Sequence, residues 1–201
     1  QRQVLLETYI WKADEVGERF KAALTDAAAR GVEGYVIYDA FANVVVSPRF
    51  KRFSPDLKVL RYPVYTAGLR PFDIRRYGRD HRKMLSVDGD VGFVSGLCVG
   101  LMWVGDPLAG IEPWRDTGVE IRGPAVAELE RAFAQMWAAC GPPVQAEELL
   151  DSISPMRPVP EGDVALRIVA SQPNWAGLYR LDQMIAAAAR ETLWLTDAYF
   201  A

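Results

Sequence analysis

The chain has 201 residues, of which 50% are hydrophobic and 24% charged, and its formal net charge is −3. This composition is typical of a soluble globular protein of one large domain or one and a half small ones, and it excludes a disordered chain. The nearly neutral charge argues weakly against a protein that works mainly by gripping nucleic-acid backbones.

The two cysteines, Cys98 and Cys140, indicate no disulfide framework and favour a reducing compartment. No apolar run reaches the roughly 20 residues needed to span a bilayer, and no signal-peptide pattern is present. The chain begins at Gln1 and stops within an apolar run. We therefore expect it to be a piece of a longer protein.

The first part of the chain predicts a βαβ unit. A short apolar strand is predicted at 3–10, an amphipathic helix at 14–30 before Gly31, and a buried strand at 35–39. Strand, helix and strand in this order predict a mostly parallel sheet covered by helices. Another short strand is predicted at 57–65.

The middle of the chain predicts a hairpin. Residues 66–80 form a polar, arginine-rich segment, and two apolar runs follow at 83–87 and 91–95. Asp88-Gly89-Asp90 joins the two runs, and Asp-Gly between such runs is a hairpin signal.

A strand and a helix complete this part. Residues 119–123 predict the strand, and the helix begins at Pro124 and continues to about Ala139. A proline-rich segment at 151–163 is the best boundary in the chain.

A strand, a helix and a strand are predicted again after this boundary, at 164–171, 178–190 and 191–201. Residues 5–10 also align with 195–200, which pairs Glu7 with Asp197. Unrelated apolar strands can resemble each other in this way. The alternative is an internal repeat. We therefore predict a first domain at 1–150, a linker at 151–163, and the truncated start of a second domain at 164–201.

A local cluster of basic residues stands out against the nearly neutral whole: Arg70, Arg75, Arg76, Arg79, Arg82 and Lys83. Such a cluster indicates an anionic ligand, and a solvated loop is the alternative.

His81, the only histidine, lies within this cluster. Residues two apart along a strand face the same side, so His81 and Lys83 point together, and Ser95 across the hairpin could join them. These groups suit a phosphate: the ammonium neutralises oxygens, the hydroxyl donates a hydrogen bond, and a neutral imidazole can attack phosphorus. A structural histidine is the alternative.

The segment RDHRKMLSVDGDVGFVSGL resembles the HKD motif of the phospholipase D superfamily, H-x-K-x4-D-x6-G-[GS]-x-N. His81, Lys83 and Asp88 match its spacing, and Ser95-Gly96 occupies the small-residue pair. Cys98 stands where the family usually has asparagine, and a thiol is the weaker hydrogen-bonding group.

The flanking segments resemble those of bacterial cardiolipin synthases, in the expected order: LLETYIWKADEVGERFKAAL, WRDTGVEIRGPAV, RIVASQPN and LWLTDAYF. The resemblance implies a phospholipase D-like α-β-α sandwich with a mixed, largely parallel sheet. It also implies two HKD motifs between two similar halves, with a phosphohistidine on one histidine and acid–base catalysis by the other. One histidine therefore implies half of an active site. The second HKD half would lie in the same parent chain or in a homodimer partner.

The resemblance also implies roles for single residues. His81 would be the nucleophile and Lys83 a phosphate clamp, while Asp88 would brace the motif. Asp116 matches a family carboxylate that hydrogen-bonds the catalytic imidazole, although a turn residue is an alternative. Ser95, Cys98 and Arg79 are expected at the phosphate.

Glu7 and Asp39 lie at or near the ends of predicted strands, where ligands of parallel sheets collect. We therefore place Glu7 among the substrate-binding candidates. A buried, hydrogen-bonded acid and a cap for the next segment are the alternatives. Three tryptophans could line a lipid-facing mouth or belong to the core: Trp11, Trp103 and Trp114.

The function implied is transfer of a phosphatidyl group through His81 to a lipid alcohol, with phosphatidylglycerol or a similar phospholipid as substrate. Hydrolysis by a phospholipase D or nuclease is one alternative, and a degenerate relative that only binds anionic lipid is another. No cofactor is expected, because the chain has neither a zinc ligand set nor a glycine-rich nucleotide loop. We expect a membrane surface as partner, at the cytoplasmic face of a bacterial cell membrane, and no specific nucleic acid.

Overall fold

The computed structural model of the chain describes four ranges of residues: 2–64, 78–153, 159–171 and 177–195. The chain divides into two compact units, Gln1–Ile168 and Val169–Ala201. The second unit contains one described helix, α5, at Gly177–Ala188. All strands of the described residues belong to the first unit.

Within the described residues, a six-stranded mixed sheet forms the centre of the first unit. Its strands are β1 (Gln3–Thr8), β2 (Glu33–Asp39), β3 (Leu57–Tyr62), β4 (Met84–Val87), β5 (Val91–Val94) and β6 (Val119–Arg122). Their spatial order is β3–β2–β1–β4–β5–β6. β3, β2 and β1 run parallel, whereas β4, β5 and β6 pair antiparallel. The mixed sheet is confirmed, with its parallel part on one side.

Helices cover both faces of this sheet. The helix α1 (Glu15–Ala29) packs on one face, while α3 (Ala125–Cys140) and α4 (Pro143–Ile153) pack on the other. Successive residues of β1 serve the two sides, because Leu5 packs with α3 and Leu6 packs with α1. The α-β-α sandwich predicted from the sequence is therefore confirmed.

The turn between β1 and α1 is fixed by the side chain that caps α1 and by the close approach of Gly17 to the Lys12 carbonyl. The Asp14 carboxylate accepts hydrogen bonds from the backbone N–H groups of Gly17, at 3.0 Å, and Leu101, at 2.7 Å. It thereby caps α1 and joins it to the short helix α2 (Leu101–Val104). A Cβ atom on Gly17 would lie 1.8 Å from the Lys12 carbonyl oxygen, so only glycine fits there.

The predicted hairpin is confirmed as β4 and β5. Asp88 and Gly89 have φ angles of 59° and 73°, and the Asp90 N–H donates to the Val87 carbonyl at 3.1 Å. Positive φ at both central residues is typical of a type I′ turn. The Asp88 carboxylate accepts hydrogen bonds from the backbone N–H groups of Gln3, at 2.8 Å, and Arg2. The tip of the hairpin is thus bound to the start of β1.

Three parts of the prediction differ from the structure. Helix α4 was not predicted, because the prolines at 142 and 143 suggested a stop, whereas Pro143 is the first helical residue, where proline is tolerated. The strand predicted at 164–171 is not formed, since these described residues pair with no other strand. A strand needs a neighbour to satisfy its backbone groups. Of the last predicted strand, at 191–201, the structure describes only residues 191–195, and these do not form a strand. Asp197 lies outside the described residues.

The domain boundaries stay a prediction. The first unit extends to Ile168, and α4 reaches Ile153, inside the predicted linker at 151–163. None of the described helices has both the length and the hydropathy needed to cross a bilayer.

We expect Asp88→Asn to lower the free energy of unfolding by about 1 kcal/mol at pH 7, since the charge on a partly exposed acceptor of two N–H groups is lost. Burial opposes this charge, but the N–H groups of Gln3 and Arg2 keep the pKa of Asp88 below its ordinary value. A depressed pKa contributes stability above the pKa of the unfolded state and loses it as pH falls through the folded value. The difference between the two proteins should therefore shrink in acid.

Urea unfolding across pH checks this expectation, with Asp90→Asn in the same turn as the control. A difference that stayed constant down to strong acid would show that the charge of Asp88 contributes nothing.

Candidate active site

The candidate site lies at the carboxyl end of β1. Because β4 pairs antiparallel with β1, Met84 lies opposite Glu7, and the segment just before β4 reaches the end of β1. The His81 ring meets the Tyr9 ring edge-on, with centroids 4.6 Å apart. The Lys83 Nζ lies 5.3 Å from the centroid of the Tyr9 ring. The sequence prediction that His81 and Lys83 point together agrees with this placement.

The environment of His81 favours a neutral imidazole. Burial and the Lys83 cation lower the pKa of His81 below its ordinary value of 6.5, and they outweigh the opposing charges of Asp80 and Asp39. A neutral imidazole has a free electron pair for attack on an electrophile, whereas an imidazolium has none. The side chain is exposed, so a substrate can reach it.

Lys83 supplies a buried cation beside this imidazole. Its Nζ donates a hydrogen bond to the His81 carbonyl oxygen at 2.5 Å. Burial lowers the pKa of Lys83, while Cys98, Asp80 and Asp116 act in the opposite direction. A partly desolvated ammonium group attracts phosphate oxygens more strongly than a fully hydrated one.

Cys98 lies at the buried side of the site. The backbone pairing of Val99 with Ile10, at 3.1 Å, brings the cysteine to the end of β1. Its thiol lies beside Ile10, Thr8 and Tyr9, whose polar groups favour the thiolate and oppose the effect of burial on its pKa. Burial raises the pKa of the thiol, so it stays protonated at neutral pH.

The Asp116 carboxylate packs against Gly96, which has no side chain to exclude it. A Cβ atom on Gly96 would lie 2.2 Å from the Asp116 Oδ2, so the small-residue pair of the motif leaves room for this carboxylate. The Asp116 Oδ1 accepts the N–H of Thr117 at 2.6 Å. Although Asp116 interacts electrostatically with Lys83, it forms no hydrogen bond with His81 in the described part of the chain.

Ser95 lies across the hairpin from Lys83, as the sequence indicated. Its backbone N–H donates to the Lys83 carbonyl at 3.4 Å. The Ser95 hydroxyl accepts the N–H of Leu97 at 3.2 Å, so it serves its own loop in this structure.

Asp88 is not brought to His81, whereas Arg79 lies beside Asp39, whose charge acts on the His81 imidazole. Asp88 lies at the far end of β4, where it binds the start of β1. The Arg79 guanidinium lies 3.5 Å from the Asp39 carboxylate and donates to the Val64 carbonyl, at the carboxyl end of β2. The other arginines of the basic cluster at 70, 75 and 76 lie outside the described residues.

Glu7 faces the opposite side of the sheet from His81. It is fully buried, and its Oε1 accepts a hydrogen bond from Arg82 Nη2 at 2.6 Å. The Arg82 Nε lies 3.4 Å from Asp80 Oδ1, and its Nη1 donates to the Ala132 carbonyl in α3 at 3.0 Å. These contacts are those of a buried, hydrogen-bonded acid, the alternative considered for Glu7.

Burial and the nearby charge of Asp80 raise the pKa of Glu7 well above its ordinary value, against the opposing effect of Arg82. Glu7 Oε2 and Asp80 Oδ2 have no hydrogen-bond partner while both groups are ionised. A proton on Glu7 lets its carboxyl group donate to Asp80, which leaves one negative charge to balance Arg82.

The tryptophans divide between core and surface. Trp11 and Trp103 are buried, which supports the core alternative for both. Trp114 is half exposed and meets Trp103 edge-on with ring centroids 6.4 Å apart.

Comparisons with known proteins bear directly on this site. Over 99% of its length the chain is 34% identical to cardiolipin synthase A of Pseudomonas aeruginosa, and over its whole length it is 32% identical to cardiolipin synthase of Geobacillus thermodenitrificans. It spans about 40% of the length of either relative. No family model matches the chain.

A solved structure supports the fold. NucT from Helicobacter pylori matches 70% of this chain with a TM-score of 0.50 and 15% sequence identity, over 82% of its own length. The chain is therefore similar, along its whole length, to a part of the bacterial cardiolipin synthases.

The sequence did not point to every group at this candidate site. Tyr9, Thr8 and Asp80 contact or surround the motif residues, and none was a candidate. Tyr9 and Thr8 reach His81 and Cys98 only through the pairing of β1 with residues some 75 or more positions later in the sequence. The position of Tyr9 directly after a strand was the one available signal.

Metal binding has no support among the described residues, where no group of three or more His, Cys, Asp or Glu side chains is placed to hold an ion.

Because His81 is the only histidine, its titration can be followed directly by NMR. We expect a pKa below 6.5 in the wild type, and an increase in Lys83→Met because the neighbouring cation is removed. Lys58→Met is the matched control, since Lys58 pairs with Glu148 at 3.1 Å instead. A wild-type pKa above 6.5, or one that Lys83→Met leaves unchanged, would contradict this account of the site.

Proposed function

We propose that this chain carries the nucleophilic half of a phosphatidyltransferase site of the cardiolipin synthase type. The observation that carries the proposal is the placement of His81 beside the buried ammonium group of Lys83 at the end of β1. The similarity to cardiolipin synthases along the whole chain supports it.

In the first step, a neutral His81 nitrogen attacks the phosphorus of phosphatidylglycerol. A phosphorus–nitrogen bond forms, and the phosphorus–oxygen bond to the glycerol head group breaks. The departing oxygen takes a proton from a general acid, and free glycerol leaves. The phosphatidyl group remains on His81.

In the second step, the hydroxyl group of another phosphatidylglycerol molecule attacks the same phosphorus. A general base removes its proton, the phosphorus–nitrogen bond breaks, and His81 is regenerated with cardiolipin as product. We assign both proton transfers to a second HKD half, supplied by the same parent chain or by a partner copy.

Lys83 would hold the non-bridging oxygens of the phosphate, which carry the negative charge in both steps. Ser95 and Cys98 would add weak hydrogen bonds to the same oxygens. Asp116 would stabilise the positive charge that His81 develops when it is phosphorylated, provided that its carboxylate turns from Gly96 toward the imidazole.

Hydrolysis would use the same half-site with water in place of the lipid alcohol. The products of the reaction therefore show which acceptor is used. Cardiolipin with glycerol indicates transfer, and phosphatidic acid indicates a phospholipase D.

We expect His81→Gln to lower cardiolipin formation by at least about a thousandfold, because no other group of the site can form the covalent intermediate. In the assay, the 201-residue chain is incubated with phosphatidylglycerol vesicles in the presence of the second HKD half. The lipids are then followed by mass spectrometry. Asp90→Asn, in the distant hairpin turn, is the control and should retain activity. Undiminished cardiolipin formation by His81→Gln would reject the proposal. If the wild type shows no turnover, the result would favour a degenerate relative that only binds lipid.

A further inference from the structure

The turn after β2 has its polarity reversed. Phe41, Val44 and Val45 are 57%, 69% and 80% exposed, whereas the polar Asn43 between them is 1% exposed. A turn in water normally exposes its polar side chains and buries its apolar ones. We call residues 41–45 the apolar turn.

Hydrogen bonds hold the apolar turn firmly in this orientation. Asn43 donates to the carbonyl groups of Tyr9 and Asp39 at 2.8 Å each, and its Oδ1 accepts the N–H of Trp11 at 2.8 Å. The Asp39 carboxylate accepts the N–H groups of Phe41 and Ala42 at 2.9 Å each. The exposed apolar side chains are therefore a fixed feature of the fold and do not come from a loose loop.

Basic residues flank the apolar turn on its carboxyl side. Arg49 and Arg52 are exposed, and Lys51 Nζ donates to the Asn43 carbonyl at 3.0 Å. No acidic residue occurs between Asp39 and Asp56. The segment thus combines an apolar tip with an uninterrupted positive charge, in a chain whose net charge is −3.

We propose that the apolar turn inserts into the surface of an anionic phospholipid bilayer, with Arg49, Lys51 and Arg52 at the level of the head groups. Apolar side chains gain free energy in the acyl boundary, and basic side chains are attracted to anionic lipid. A purely protein partner would explain the apolar tip but not the lack of acidic residues between Asp39 and Asp56.

This contact would also orient the candidate active site. Asn43 binds the Tyr9 carbonyl, and the Tyr9 ring touches the His81 ring, so the bilayer would lie near the exposed imidazole. The inference rests on the proposed function in that the phospholipid substrate lies in a bilayer, but binding can be measured without turnover.

The test is co-sedimentation of the 201-residue chain with vesicles of equal parts phosphatidylcholine and phosphatidylglycerol, and with vesicles of phosphatidylcholine alone. We expect binding to the anionic vesicles, and a loss of at least about tenfold in affinity for the double variant Val44→Asp/Val45→Asp. Arg49→Gln/Arg52→Gln should weaken binding to the anionic vesicles only.

Val159→Asp/Val164→Asp is the matched control, since these valines are 77% and 80% exposed and lie outside the apolar turn. It should bind as the wild type does. Circular dichroism should give the same spectrum and melting temperature for all variants, because each replaced side chain is exposed. His81→Gln should bind vesicles normally, so a failure of catalysis can be told from a failure of membrane binding.

Two results would overturn the inference. The first is a failure of the wild type to bind the anionic vesicles, or binding of the Val44→Asp/Val45→Asp variant that is as tight as that of the wild type. The other is light scattering that shows a dimer in the wild type and a monomer in this variant, with equal vesicle binding, since the turn would then be a contact between copies of the chain.

Discussion

The antiparallel pairing of β4 with β1 is the interaction on which the candidate site depends. It sets Met84 opposite Glu7, which delivers His81 and Lys83 to the end of β1 beside Tyr9. At the other end of the same pair, Asp88 binds the first N–H groups of β1. The spacing of the motif thus has a structural meaning: its histidine and lysine face the site, and its aspartate fixes the register that brings them there.

The alternation of side chains along residues 81–83, just before β4, separates chemistry from support. His81 and Lys83 face the site, while Arg82 between them faces the interior and binds Glu7 and Asp80. Burying these three groups costs free energy, which the ion pairs of Arg82 offset in part. The contribution of Arg82, Glu7 and Asp80 is to position the segment that carries His81. If Arg82 moved, a carboxyl group would stay buried without its partner, so the segment is held in place.

Local patterns in the sequence predicted the strands, the hairpin and the two long helices of the first 140 residues well, because each buries one face or contains a turn signal such as Asp88-Gly89, but they did not predict the short helix α2. The convergence of His81 with Lys83 also followed from local spacing. The places of Glu7 and Arg79 did not, since their partners Arg82 and Asp39 are chosen by packing between distant segments. Cys98 reaches the site by the pairing of Val99 with Ile10, which no local pattern contains.

We propose that His81 is the nucleophile and that Lys83 is the cation that assists it. The most direct measurement is mass spectrometry of peptides from the protein, quenched within the first turnover on phosphatidylglycerol. The account predicts an acid-labile phosphatidyl adduct on the peptide that contains His81, strongly reduced in Lys83→Met. Turnover without any adduct on His81, or an adduct on another residue, would contradict it.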